Sequence, residues 1–143
     1  MRVALNRGCS SIDARALKKT CMKVMRAEGV RKDAVLSISA MSEKEIEELN
    51  RRYLSREGPT DVIAFPMGEK SEEGFLLGDV AVCPEYVAAL REDYAVEAGR
   101  ELEFVVAHGV LHLLGYEDED EEDASRMDRR QREILGMTER PVT

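Results

Sequence analysis

The stretch from about Glu97 to Leu114 constrains this chain most. Leu102, Val105, Val106, Leu111 and Leu113 recur there with helical spacing and supply a broad apolar surface for burial. Gly115 follows in the usual position for a left-handed helix end. The same stretch carries both histidines of the 143-residue chain, His108 and His112. Four residues apart on a helix, they project from one face, one turn apart. The fold must therefore bury a helix while leaving two stacked imidazoles accessible to chemistry.

The rest of the sequence supplies strands first and helices afterwards. Ser10 or Ser11 can cap a first helix with Ile12, Leu17, Cys21, Val24 and Met25 on one stripe and Gly29 as its stop. Val35 to Ser39 alternates as a strand does. Ser42 with Glu45 is a capping-box signature for a helix presenting Ile46, Leu49 and Tyr53. Val62 to Phe65 reads as a short buried strand stopped by Pro66, residues 67 to 74 as an exposed hairpin, and Leu76 to Cys83 as a further strand. Pro84 suits the first turn of a helix running to about Tyr94. A last helix, about Glu121 to Leu135, opens with acids that favour its N-terminal dipole and turns Ala124, Met127, Gln131, Ile134 and Leu135 inward. With no strand among the last sixty residues, the pattern is that of an α+β domain with a mixed sheet of about four strands. The length suits one domain spanning residues 1–143.

Charge is distributed unevenly. The formal net charge is -8, which by itself argues against a protein held to nucleic acid by bulk positive charge. Yet residues 1 to 32 carry nine basic side chains against Asp13 and Glu28, leaving the excess of acid to the remainder. The basic first helix is the candidate surface for an RNA backbone, with weak, salt-sensitive binding expected. Cys9, Cys21 and Cys83 form no C-x-x-C pair or disulfide framework, no apolar run is long enough for a membrane span, and Met1 to Asn6 has no signal-peptide character. A cytoplasmic location and no membrane partner are expected.

The histidine pair reads as half of a metal site. Beyond Gly115 lies a run of carboxylates, Glu117, Asp118, Glu119 and Asp120. His-x-x-x-His-x-x-Gly-x-x-ligand is the spacing of the long zinc signature of the metzincins, and the third ligand position here is Asp118, with Glu117 or Asp120 as competing assignments. Two imidazoles and one carboxylate are acceptable zinc ligands and leave a fourth position for water, whose pKa the metal lowers toward about 7. A zinc peptidase would carry Glu directly after the first histidine as its base; Gly109 stands there, which disfavours that activity.

His108-Gly109-Val110-Leu111-His112-Leu113-Leu114-Gly115-Tyr116 resembles the H-G-x-L-H-L-x-G-Y signature of the YbeY endoribonucleases, bacterial ribosomal-RNA maturation factors. Leu49-Asn50, Tyr53 and the run Pro59 to Pro66 resemble that family's L-N-x-x-Y-R and P-T-D-V-L-S-F-P segments, and Leu77-Gly78-Asp79-Val80 its L-G-D-I strand. The resemblance implies a zincin-like fold, a zinc ion held by three histidines, and cleavage of single-stranded ribosomal RNA in rRNA maturation and ribosome quality control. It implies partners in the small ribosomal subunit or a ribosomal protein. Three departures are visible. Asp118 takes the place of the third histidine, so the expected ligands are His108, His112 and Asp118, and a divalent ion other than zinc becomes acceptable. Leu54 replaces the arginine after the tyrosine, leaving Arg52 or Arg56 as candidates for RNA contact. Ala64 replaces the serine of the V-L-S-F-P segment. Asp79 either orients a ligand histidine or makes strand-end hydrogen bonds. An alternative function from another class is a ribosome-assembly binding module with a structural metal and little cleavage.

Overall fold

The structure is a computed structural model and describes residues 1–6 and 14–138. In chain order these form β1 (Arg2–Leu5), α1 (Ala14–Ala27), β2 (Ala34–Ala40), α2 (Glu43–Leu54), β3 (Val62–Ser71), β4 (Gly74–Val82), α3 (Pro84–Ala89), a 3-10 turn (Arg91–Tyr94), α4 (Glu101–Leu113) and α5 (Glu121–Leu135). The strands make one sheet in the order β1-β2-β4-β3. The first two pairings are parallel and the last antiparallel, so the architecture is α+β with a mixed sheet of four strands, as the sequence implies.

Alternation along the strands divides the sheet into two faces. On one face Leu36 and Ile38 of β2, Val80 and Val82 of β4, and Val62 and Ala64 of β3 pack against Val24 and Met25 of α1 and Val105, Val106 and Val110 of α4. On the other, Ile63 and Phe65 meet Ile46 and Leu49 of α2 in a smaller cluster. That second face also carries Asp79, which sits opposite Ser37 and Phe65 in the register and accepts the Ser37 hydroxyl.

Gly109 sets how closely α4 approaches the sheet. A Cβ there would lie 2.8 Å from Val80 Cγ1 and 2.9 Å from Val62 Cγ2, closer than carbon atoms tolerate. The residue that occupies the protease-base position is thus a packing contact between helix and sheet.

Local sequence explains most boundaries. Ser42 and Glu45 form the expected capping box, with the Glu45 N–H donating to Ser42 Oγ at 3.2 Å and the Ser42 N–H to Glu45 Oε1 at 3.2 Å. Gly136, at φ 66°, ends α5 directly after Leu135. The proposed cap at Ser10 or Ser11, with Ile12 and Cys9, lies outside the described residues. One strand was not expected, and three expectations need correction. β1 is a strand that the four residues Arg-Val-Ala-Leu are too short to announce by alternation. Pro66 does not stop β3: it lies on an edge strand, where no ladder donor is needed, beside a register shift between Pro66 and Glu69. The helix expected from Pro84 to Tyr94 closes at Ala89 and tightens into the 3-10 turn, which delivers a buried Tyr94 to the core. α4 begins at Glu101, because Gly99, at φ 94°, holds the preceding residues out of helical geometry.

Candidate metal centre

α4 ends beside an open cleft of about 1290 Å³, walled by the start of β3 on one side and by α5 on the other. His108 and His112 reach this cleft from the last turns of α4, each side chain less than a third exposed. Gly115, at φ 101°, reverses the chain there, and the Tyr116 N–H donates to the Leu111 carbonyl at 3.1 Å to close the helix. The reversal returns Asp118 to the histidines. His108 Nε2 and His112 Nε2 lie 3.1 Å apart, and Asp118 Oδ2 lies 3.3 and 3.4 Å from them. Among the described residues, these three form the group able to share one ion. Asp120 is otherwise engaged, accepting the Asp123 N–H at 2.7 Å as the cap of α5, and Glu117 lines the cleft outside the triad.

Protons around the triad are fixed from outside. His112 Nδ1 faces the Tyr116 carbonyl oxygen at 2.9 Å, an atom that only accepts, so Nδ1 donates and, in the neutral ring, Nε2 holds a lone pair. His108 Nδ1 faces Gln131 Oε1 at 3.0 Å, while Gln131 Nε2 donates to the Phe104 carbonyl at 2.7 Å. In the neutral ring that leaves the His108 Nε2 lone pair free for a ligand as well. With both rings neutral, two imidazole lone pairs and a carboxylate oxygen converge on one point. A tetrahedral ion with bonds of about 2.0–2.2 Å keeps its ligand atoms about 3.3–3.6 Å apart, close to the three separations here. The residues present fit a small divalent cation on donor chemistry and on spacing.

The cleft walls carry further groups. Asp61, at the start of β3, accepts the Tyr94 hydroxyl at 2.9 Å. Tyr94 in turn is held by Arg132, which is almost fully buried and donates to the carbonyls of Tyr94 and Ala95 at 2.7 and 2.9 Å. Arg132 also pairs with Asp128 at 3.0 Å, so the buried charge is satisfied on several sides. Arg56 lines the cleft, as does Leu54. Arg52 does not: it lies on the exposed surface of α2 within 3.6 Å of Glu48. Asp79 is excluded from orienting a ligand histidine, since it lies on the opposite face of the sheet and both Nδ1 atoms already have partners. The basic side chains of α1 are exposed, but none lines the cleft. Arg129 and Gln131, both on α5, are the site residues that sequence reasoning missed. Gln131 had one visible signal, an amide on an otherwise apolar stripe; Arg129 had none.

The sequence profile of the family described as "Endoribonuclease YbeY" matches residues 5–139. The chain belongs to the YbeY family. A YbeY endoribonuclease from Oceanobacillus iheyensis is 41% identical over 118 residues, covering 76% of this chain and 77% of the relative. One from a Nocardioides strain is 36% identical over 139 residues, covering 92% and 93%. The solution structure of TM1509 from Thermotoga maritima matches at 32% identity and a TM-score of 0.59, covering 95% of this chain and 90% of that one. In YbeY terms, the His108–Tyr116 signature is thus the end of α4 and the turn after it, and the segment before Pro66 is a wall of the same cleft. No described helix is long and apolar enough to cross a membrane.

Proposed function

We propose that this chain is a metal-dependent endoribonuclease of single-stranded RNA, acting on ribosomal RNA in its maturation and in ribosome quality control in the cytoplasm. His108, His112 and Asp118 would hold one zinc or similar divalent ion. The observation that carries the reading is the convergence of two histidine Nε2 atoms and a carboxylate oxygen in an open cleft. Such an ion supplies, when bound, Lewis acidity toward a phosphoryl oxygen and a water acidified toward neutral pH. The chain's own residues supply placement. Arg56 on one wall and Arg129 on the other are positioned to receive phosphate oxygens of a strand lying between them. Tyr94 and Arg132 hold Asp61 at the cleft edge. With no tryptophan and 5% aromatic residues, base stacking is not the main source of affinity, and a ribosomal partner would add the rest.

Purified protein should hold about one zinc ion per chain, and His112→Ala should lose it. Single-stranded rRNA fragments should be cut by wild type and spared by His108→Ala, and cleavage of intact pre-ribosomes should stop on adding a chelator. Equal metal in wild type and His112→Ala would reject the ligand assignment. Bound metal without cleavage, on fragments or pre-ribosomes, would replace the enzyme by a ribosome-assembly binding module.

A further inference from the structure

We propose that Gln131 is a positioning residue for the metal centre: it fixes the proton of His108 on Nδ1 and so keeps Nε2 as the ligand atom. The inference rests on the metal reading of the triad and adds a determinant outside it. The two histidines are held by different means. His112 relies on a backbone carbonyl, that of Tyr116, which no substitution removes. His108 relies on a side chain reaching over from another helix.

Gln131 is 1% exposed and lies on the inner stripe of α5 with Met127, Ile134 and Leu135, all buried and apolar. An amide there is costly to desolvate unless both ends find partners, and an apolar side chain of equal size would avoid the cost. Both ends do find partners. Its Nε2 donates at 2.7 Å to the carbonyl of Phe104, which only accepts, so the amide cannot turn round. Oε1 is thereby committed to His108 Nδ1 at 3.0 Å. Phe104 precedes His108 by one turn of α4, so the amide spans two successive turns of the helix it serves.

The alternative tautomer shows why this matters. A proton on His108 Nε2 would meet two acceptors inside the site, His112 Nε2 at 3.1 Å and Asp118 Oδ2 at 3.3 Å. Without an outside acceptor, the metal-free site would close on itself through those hydrogen bonds and compete with the ion. Gln131 holds the site open for metal.

The test pairs imidazole 15N shifts of the metal-free protein with zinc affinity from competition against a chromophoric chelator. In wild type both histidines should show the Nδ1–H pattern. Gln131→Met, similar in volume but without an acceptor for N–H, should move His108 alone to the Nε2–H form and weaken zinc binding about 10–100-fold. Gln131→Glu keeps an oxygen facing the ring and should restore both the Nδ1–H pattern and zinc affinity, at some cost in stability beside the Phe104 carbonyl. An unchanged His108 pattern with unchanged zinc affinity in Gln131→Met overturns the assignment. If that variant does not fold, Gln131→Asn, which draws the amide back from the ring, is read in the same way. Failure of wild type to bind zinc would instead refute the metal reading, and the shifts of the metal-free variants would still decide what Gln131 does.

Discussion

Tyr94 shows how far one side chain can tie a cleft wall to the protein's stability. Burial first, and the charge of Asp61 second, push its phenol well above the usual tyrosine value near 10. A folded-state pKa raised above the unfolded one favours the native state while the group stays protonated. The stabilisation is therefore complete below about pH 10 and is lost as pH rises past that value. Tyr94→Phe should cost about 1 kcal/mol at neutral pH through the lost hydrogen bond to Asp61. It should also flatten the alkaline decline. Between about pH 8 and pH 11, guanidinium unfolding should show wild type losing more stability than the variant, by at most about 1.4 kcal/mol per pH unit. Equal declines would mean that Tyr94 gives up its proton as readily as in the unfolded chain. At this scale the sequence was readable where spacing alone decides geometry. His108 and His112 share a face because they are four apart, and Asp118 returns to them because Gly115 permits the turn. Gln131 was placed inward correctly, but what it faces depends on how α5 docks on α4, which no local pattern encodes.

Among the elements, α4 is the one on which the site depends, and Gly109 governs its seat. Gly109→Ala would place a methyl within 3 Å of Val80, fixed in the core, and of Val62, which packs against it. Overpacking of this kind costs about 1–3 kcal/mol, partly offset by alanine's better helix propensity. Thermal unfolding of Gly109→Ala should show that loss. Because His108 is the preceding residue, zinc affinity should fall with it, whereas a change confined to stability would mean that the helix shifts without disturbing its histidines. The elements also show where local reading stops. α2 and α5 carry their own start signals, Ser42 with Glu45 and the acids from Glu121, and these are visible in any context. β1 exists because β2, more than thirty residues on, pairs with it, and a partner so distant in sequence leaves no local trace, whereas the run of β3 beyond Pro66 is the first arm of the hairpin expected at residues 67 to 74.

Over the whole molecule, the formal charge of -8 resolves into separate surfaces. Arg15, Lys18, Lys19, Lys23 and Arg26 lie exposed on α1, away from the cleft. The cleft itself is lined by Asp61, Glu117, Asp118, Glu121 and Asp128 against Arg56 and Arg129. A short RNA in the cleft would meet more negative than positive side chains, and α1 would offer its positive charge only to a strand extending beyond the cleft. Replacing Lys18, Lys19 and Lys23 together by glutamine should therefore leave cleavage of a short oligonucleotide unchanged. For a long single strand it should weaken binding and lower the slope of log affinity against log salt by about 2, at roughly 0.7 per lost phosphate contact. Fluorescence anisotropy across a salt series measures the slope, and an unchanged value would remove α1 from the RNA path. The order of the elements also has a meaning in time. The four strands are complete at Val82, while His108, His112, Asp118 and Gln131 all come later in the chain. Synthesis runs from the N-terminus, so the platform is made before any group that would bind metal upon it. The apolar face of that platform is fully covered only when Val105, Val106 and Val110 of α4 arrive, so the same helix that completes the core also carries the first two ligand candidates.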